Sequence, residues 1–258
     1  MHAYWAFFRI AFKNSFAYRS SVFMNLFGSV ISIVAQLALW VYIFRNNSDM
    51  LNYMMAYVVI SRVLGILFTN NITDQLGAKI ISGDFVTELI KPINLVYTLW
   101  SSSFGTICAG MVNQCTLLII VFLPVLIKVK ITILSFALFI LVSILGLILS
   151  NILYVLIGYL AFVVIETWPY KRLLDDTIRL LSGAVIPIAF FPGWLENVVK
   201  CFPFHFIYSF PLRILLNKVS IVEMVSSLVM MILWIFMLLF LLVKIYKWSV
   251  KYCIVQGG

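Results

Sequence analysis

Six apolar stretches, near residues 21–44, 51–69, 99–127, 132–164, 177–192 and 224–243, leave this 258-residue chain little choice of environment. A helix needs about 20 apolar residues to cross roughly 30 Å of hydrocarbon, and each stretch meets or approaches that length. With 64% hydrophobic residues and 22 phenylalanines, and a mean hydropathy of +1.12, the composition excludes a soluble domain with a wet surface. The expected fold is an all-α polytopic membrane protein, one transmembrane domain over residues 1–258 with six spans. The fourth stretch exceeds a perpendicular span, so it tilts, kinks or projects into water. The fifth is short and interrupted by Pro187.

Basic residues near span ends are retained in the cytosol, which gives an orientation. With both termini inside, the cytosolic set is Arg9, Lys13, Arg19, Lys79, Lys91, Lys171, Arg172, Arg179, Lys244, Lys247 and Lys251, eleven in all. The outer set is Arg45, Lys128, Lys130, Lys200, Arg213 and Lys218, six, with Arg62 inside the second span. Eleven against six favours cytosolic termini. The net charge of +9 then reads as topology plus attraction to anionic headgroups, and the dispersed basic residues argue against a nucleic-acid partner.

No short apolar core precedes a small-residue cleavage site, so the first apolar run is expected to continue into a span. Residues 3–20 differ from it. Drawn as a helix, Tyr4, Trp5, Phe7, Phe8, Ala11, Phe12, Phe16 and Tyr18 share one arc, with Arg9, Lys13, Asn14 and Ser20 opposite. That pattern suits a helix in the cytosolic headgroup plane; a helix packed on its own protein is the alternative.

Enzymatic chemistry has little to stand on. The cysteines Cys108, Cys115, Cys201 and Cys253 form no CxxC pair, and His2 and His205 make neither HExxH nor a zinc-binding cluster, so no metal site is expected. Neither a GxSxG elbow nor a GxxxxGK[ST] phosphate loop occurs, so no catalytic residue is assigned and any nucleotide chemistry belongs to another polypeptide. Secondary transport predicts carboxylates or histidines within spans, and Arg62 is the one clear intramembrane charge. Arg62 either pairs with carbonyls or a carboxylate across a helix interface or contacts an anionic substrate group. Glu166, Asp175 and Asp176, beside Lys171 and Arg172, are expected to form a local ion-pair network.

The polar block at 70–97 is the best clue to function, because it must lie in water where it can touch another protein. Thr73 to Ile81 reads as a helical extension of the second span, ended by Gly83 in a left-handed conformation. A short second helix follows. Asp84 is its expected N-cap, Phe85, Val86, Leu89 and Ile90 supply apolar contacts, Glu88 favours the first turns, Lys91 follows, and Pro92 stops it. So short a helix needs docking, either on the membrane surface as a connector or as a knob in a groove on a cytosolic motor.

The chain resembles the permease subunits of type-2-class ATP-binding-cassette (ABC) exporters, in the bacterial six-span branch. The resemblance rests on YWAFFRIAFKNSFAYRSSVFMN, KIISGDFVTELIKPIN, LSGAVIPIAFFPGWL and a basic tail ending in Gly257 and Gly258, in that order. It implies a bacterial plasma-membrane location, an N-terminal helix at the membrane edge, and a coupling helix near 83–91. It also implies a second permease, identical or homologous, and two ATPase subunits that carry ATP and Mg, this chain binding no cofactor itself.

Residues 182–218 hold four of the seven prolines, Pro187, Pro192, Pro203 and Pro211, among Phe190, Phe191, Trp194 and further aromatics. Broken helices with aromatic rings suit the outer interface, as a passive belt or, as the resemblance implies, as re-entrant helices at an outer gate. In the third span Ser102, Thr106 and Gly110, with Gly105, Ala109 and Asn113 alongside, form a small-residue face for close helix packing. The expected function is ATP-driven export of an amphiphile by alternating access, the substrate being a drug, a hydrophobic peptide or a lipid. A membrane scaffold that recruits a cytosolic protein, or an unpowered channel, is the alternative.

Overall fold

The computed structural model describes residues 2–17, 19–115, 118, 122–123 and 131–256. Among these all regular structure is helical: α1 (His2–Ala17), α2 (Arg19–Ile43), α3 (Ser48–Leu67), α4 (Ile72–Ile81), α5 (Asp84–Ile90), α6 (Leu95–Gly110), α7 (Ile133–Tyr159), α8 (Trp168–Leu181), α9 (Gly193–Cys201), α10 (Ser209–Leu215) and α11 (Ile221–Gln256). A π-helical turn, Met111–Cys115, extends α6, and short 3-10 turns occupy Leu160–Phe162, Ile188–Phe190 and Pro203–Phe206. The expected third span runs on into residues 116–117, 119–121 and 124–127, which, like Tyr18, Lys128, Lys130, Gly257 and Gly258, lie outside the described residues.

Five segments are long and apolar enough to cross a membrane: Val22–Ile43, Ser48–Ile81, Leu95–Gln114, Ile133–Phe162 and Ile221–Lys251. The fifth span expected at 177–192 is not one of them. α8 ends at Leu181, Gly183 turns the chain at φ +83°, and only the short turn Ile188–Phe190 follows before Pro192. The sixth crossing is broken, running from α8 beside Asp74 of α4, past the Gly183 bend held by Tyr57 of α3, to the Ile188–Phe190 turn at the far end of α2; Gly193–Cys201 and Pro203–Leu215, which meet at a 79° bend, form a hairpin after it. The long fourth stretch projects: α7 carries on through Leu160–Phe162 to the end of the molecule that holds α5.

Helices in lipid gain nothing from sequestering apolar surface against each other, so close approach and interhelical hydrogen bonds hold them together. The main core joins α3, α4, α7, α10 and α11, and a second cluster sets α2 through Ile33 and Trp40 against Met54, Val58 and Val59 of α3. Gly158 lets Leu76 of α4 lie on α7, where a Cβ would meet it at 2.9 Å. Across the same interface Asn70 Nδ2 donates to Asn151 Oδ1 at 2.5 Å and Thr73 Oγ1 donates to the Tyr154 carbonyl at 2.8 Å. Asn70 also ends the continuity of α3 with α4, because its Oδ1 accepts from the Ile72 amide at 2.7 Å.

The small-residue face of α6 is used within the chain. A Cβ on Gly105 would collide with the Phe8 carbonyl of α1, and one on Gly110 would meet Ile66 of α3 at 2.9 Å. α1 therefore packs along α6, with Tyr4 Oη accepting from the Asn94 amide at 3.1 Å. The arc drawn from sequence divides: Ala11 is buried at the contact, Trp5 borders a groove with Phe8, Ser101 and Phe104, and both Trp5 and Phe7 stay exposed.

Candidate functional site

α5 is built from its turn outward. Gly83, at φ +80°, ends the run from α4 in the left-handed region that lacks steric conflict only for glycine. Asp84 is not the N-cap expected of it. It is the first helical residue, its amide donating to Ser82 Oγ at 3.4 Å and its carboxylate accepting from that hydroxyl at 2.8 Å. Lys91 is extended, and the helix stops before Pro92.

The residues expected to form one docking face lie on two. Phe85, 1% exposed, stands edge-on to Phe162 at 5.1 Å and to Tyr159 at 6.3 Å. Leu89 packs on the same core. Glu88 turns inward too and accepts from Lys79 Nζ at 2.6 Å and Lys91 Nζ at 2.8 Å. Burial pushes its carboxyl up, but the hydrogen bonds and charges of the two lysines outweigh burial and hold it below the usual carboxylate range. Outward stand Val86, 46% exposed, and Ile90, 81% exposed, with Ile81 beside them at the end of α4. An apolar knob with its base pinned by an aromatic seat and two ion pairs is thus presented to the outside. The seat continues inward, since Tyr159 lies 6.5 Å from Tyr246 and Phe162 lies 6.3 Å from Trp248, both on α11.

A second feature was missed from sequence. A cavity of about 300 Å³ opens between the α3–α4 break, α7, α8 and the turn at Ile207 and Tyr208, with Asn70, Tyr154, Lys171, Asp175 and Arg179 among its walls. Lys171 is ion-paired with Asp74, and Tyr154 Oη donates to Asp175 Oδ1 at 2.5 Å. Of the local ion-pair network expected from Glu166, Asp175 and Asp176 beside Lys171 and Arg172, only the Arg172–Asp176 pair forms, at 3.3 Å; Lys171 and Asp175 are drawn instead to α4 and α7, and Glu166 accepts from Trp168 Nε1 at 2.6 Å. Arg62 on α3 donates through Nη2 to Ser29 Oγ of α2 at 3.3 Å, so its partner across a helix interface is a hydroxyl. It also lies within electrostatic reach of Tyr208 and Arg179. α8 hides this cavity from a hydropathy reading because charged residues alternate there with the buried Leu174 and Ile178.

At the opposite end, Pro187 and Pro192 flank the Ile188–Phe190 turn, and the Phe190 ring lies tilted against Trp40 and Phe44 of α2 at 5.4 and 5.9 Å. Phe191 is the extended residue between that turn and Pro192, and Trp194 is 71% exposed. α9 then descends. From Ile133 to Gly146 the α7 axis runs about 20 Å, and at Gly146 a Cβ would lie 3.4 Å from the Phe206 carbonyl. From Ile221 to Trp234 α11 covers the same length, about 20 Å, and Trp234 Nε1 donates to the Cys201 carbonyl at 3.0 Å. α10 climbs back, and Asn217 Oδ1 beyond its end accepts from Ser135 Oγ in the first turn of α7. The segment therefore enters and returns at one end of the bundle.

The family model described as ABC-2 family transporter protein matches residues 30–254. No curated protein matches the chain.

Proposed function

The chain belongs to the ABC-2 family of transporter membrane proteins, and from that premise we propose that it is the permease half of an ATP-driven exporter. In this reading α5 and both termini are cytosolic, two permeases face each other, and each receives one ATPase subunit that holds the ATP and Mg. The observation that carries the reading is the two-faced α5: Phe85, Glu88 and Leu89 fix it to the permease while Val86 and Ile90 stand free for a partner.

Closure of the motor pair pushes on Val86 and Ile90. The push reaches α7 through Tyr159 and Phe162, and α11 through Tyr246 and Trp248. Nucleotide biases the two access states only as far as it binds them differently, so a permease that lost the knob would leave hydrolysis uncoupled. α1, with Trp5 and Phe7 outward, lies at the cytosolic membrane edge. The hairpin of α9 and α10, with Pro187, Phe190, Phe191, Pro192 and Trp194 at its mouth, forms the outer gate. The cargo is an amphiphile, a drug, hydrophobic peptide or lipid, taken from the cytosol or inner leaflet.

The test is to purify the tagged chain gently from its native membrane, identify what accompanies it and assay ATP hydrolysis. Val86→Asp combined with Ile90→Asp is expected to release the ATPase subunit without moving the unfolding midpoint, because neither side chain is packed. Recovery of the chain alone, with no hydrolysis, would sink the exporter reading in favour of a scaffold or an unpowered channel.

A further inference from the structure

One guanidinium group lines the cavity and a second stands one helical turn from its wall, and among the described residues neither is ion-paired to a carboxylate. Arg179, in the last turn of α8, lines the cavity and takes part in none of the ion pairs among the described residues. Arg62 stands one helical turn before the cavity-lining Gly65, where a Cβ would lie 3.5 Å from the Tyr208 hydroxyl, and its one hydrogen bond among the described residues is to the Ser29 hydroxyl. Asp175 is one turn before Arg179 on α8, yet its carboxylate is taken by the Tyr154 hydroxyl. Lys171 is neutralised by Asp74, and Arg172 by Asp176. The charges at or one turn from this space that are left without an ion pair are then Arg179 and Arg62 against Asp175, one positive charge in excess.

Neighbouring cations repel, and an anion between them turns the repulsion into attraction. Guanidinium groups suit that task, because their planar forks hold carboxylate and phosphate oxygens through two parallel hydrogen bonds. Neutral donors stand beside them: the Tyr208 hydroxyl, within electrostatic reach of Arg62, Arg179 and Asp175, and the cavity-lining Asn71 and Thr69.

We propose that the cavity between the α3–α4 break, α7, α8 and the Pro203–Tyr208 turn binds the monoanionic oxyacid head of an amphiphile, with Arg179 and Arg62 as its charge contacts. The head sits against Arg179 and Tyr208, and its apolar tail leaves along the lipid-facing side of the bundle. This deepens the export reading by giving the cargo an anionic head, and it rests on that reading only for the cargo's passage, not for its binding.

The experiment uses the purified full-length chain in nanodiscs of phosphatidylcholine, titrated with fluorescent-tailed phosphatidylglycerol. Competitors are unlabelled phosphatidylglycerol, phosphatidylcholine with the same tails, and glycerol 3-phosphate. Saturable binding displaced by phosphatidylglycerol and not by phosphatidylcholine is expected, weakened about tenfold or more by Arg179→Gln and by Arg62→Gln, as the loss of one charge-assisted hydrogen bond implies. Arg179→Lys should recover part of the loss. Displacement by glycerol 3-phosphate would uphold the anion site and assign it to a free oxyanion in place of a lipid head. Equal affinity for the two lipids, or unchanged affinity in a folded Arg179→Gln protein, overturns the proposal. Arg179→Gln, at an exposed position, decides the matter if Arg62→Gln does not fold. No ATPase takes part, so failure to recover a motor subunit would remove the export reading and leave this result standing.

Discussion

Gly83 and Gly183 share nearly the same left-handed backbone, φ +80° and +83°, in opposite surroundings. A Cβ on Gly83 would meet nothing within 4 Å, whereas on Gly183 it would lie 3.0 Å from Ser209 Cβ and 3.1 Å from Tyr57 Oη. The turn at Gly83 is secured by charge, through Glu88 between Lys79 and Lys91. The turn at Gly183 is secured by donors aimed at freed carbonyls: Tyr57 Oη to Gly183 and Ser61 Oγ to Ala184, each 2.7 Å, and the Ser209 amide to Ser182, 2.9 Å. Where water reaches the backbone, a broken helix needs only a glycine and a tether. Inside the bundle, each carbonyl released by the break must find a donor from a neighbouring element.

Gly183→Ala is expected to have the largest effect, about 3 kcal/mol of destabilisation, from roughly 1 kcal/mol of left-handed strain and roughly 2 kcal/mol of crowding. Tyr57→Phe, which removes the donor from the Gly183 carbonyl, should cost about 1–2 kcal/mol. Gly83→Ala should cost only the backbone share, about 1 kcal/mol. Unfolding midpoints in detergent measure all three, and equal losses at the two glycines would dissolve the contrast between them. Glu88→Gln is expected to be mildest, below about 1 kcal/mol and shrinking in high salt, because Lys79 and Lys91 are partly exposed. Its signature is pH. The native Glu88 carboxyl titrates below its ordinary 4.5, so its contribution is present above that pH and fades as the pH falls through the lower native value. The Gln variant should lose this acid sensitivity, and an unchanged pH profile would show that the lysines do not hold the loop.

The second break was far less legible in sequence than the first. Gly83, the stop at Pro92 and the helix between them could be placed because turn chemistry acts locally. Which face of α5 would turn inward could not, since Phe85 and Leu89 look as suited to a partner as Val86 and Ile90; the aromatic seat comes from Tyr159 and Phe162, more than 70 residues away. Five spans were visible as apolar runs. The run at 177–192 does not read as one regular span, because Leu181 to Phe191 is apolar without forming a continuous helix, whereas the helix before it, α8, carries Lys171, Arg172, Asp175, Asp176 and Arg179. Lys171 and Asp175 are matched by Asp74 and Tyr154 on other helices, and no local pattern announces such partners. The proline and aromatic crowding at 182–218 did announce broken helices.

α8 has a consequence for how the chain is made. A segment with five charges in fourteen residues cannot leave the translocation machinery for lipid on its own hydropathy. Its company is already in place when it is synthesised, since α4 offers Asp74 to Lys171 and α7 offers Tyr154 to Asp175. Assembly of this protein is therefore ordered: the apolar helices enter as independent units, and the polar one is admitted afterwards, as a guest of the bundle it completes.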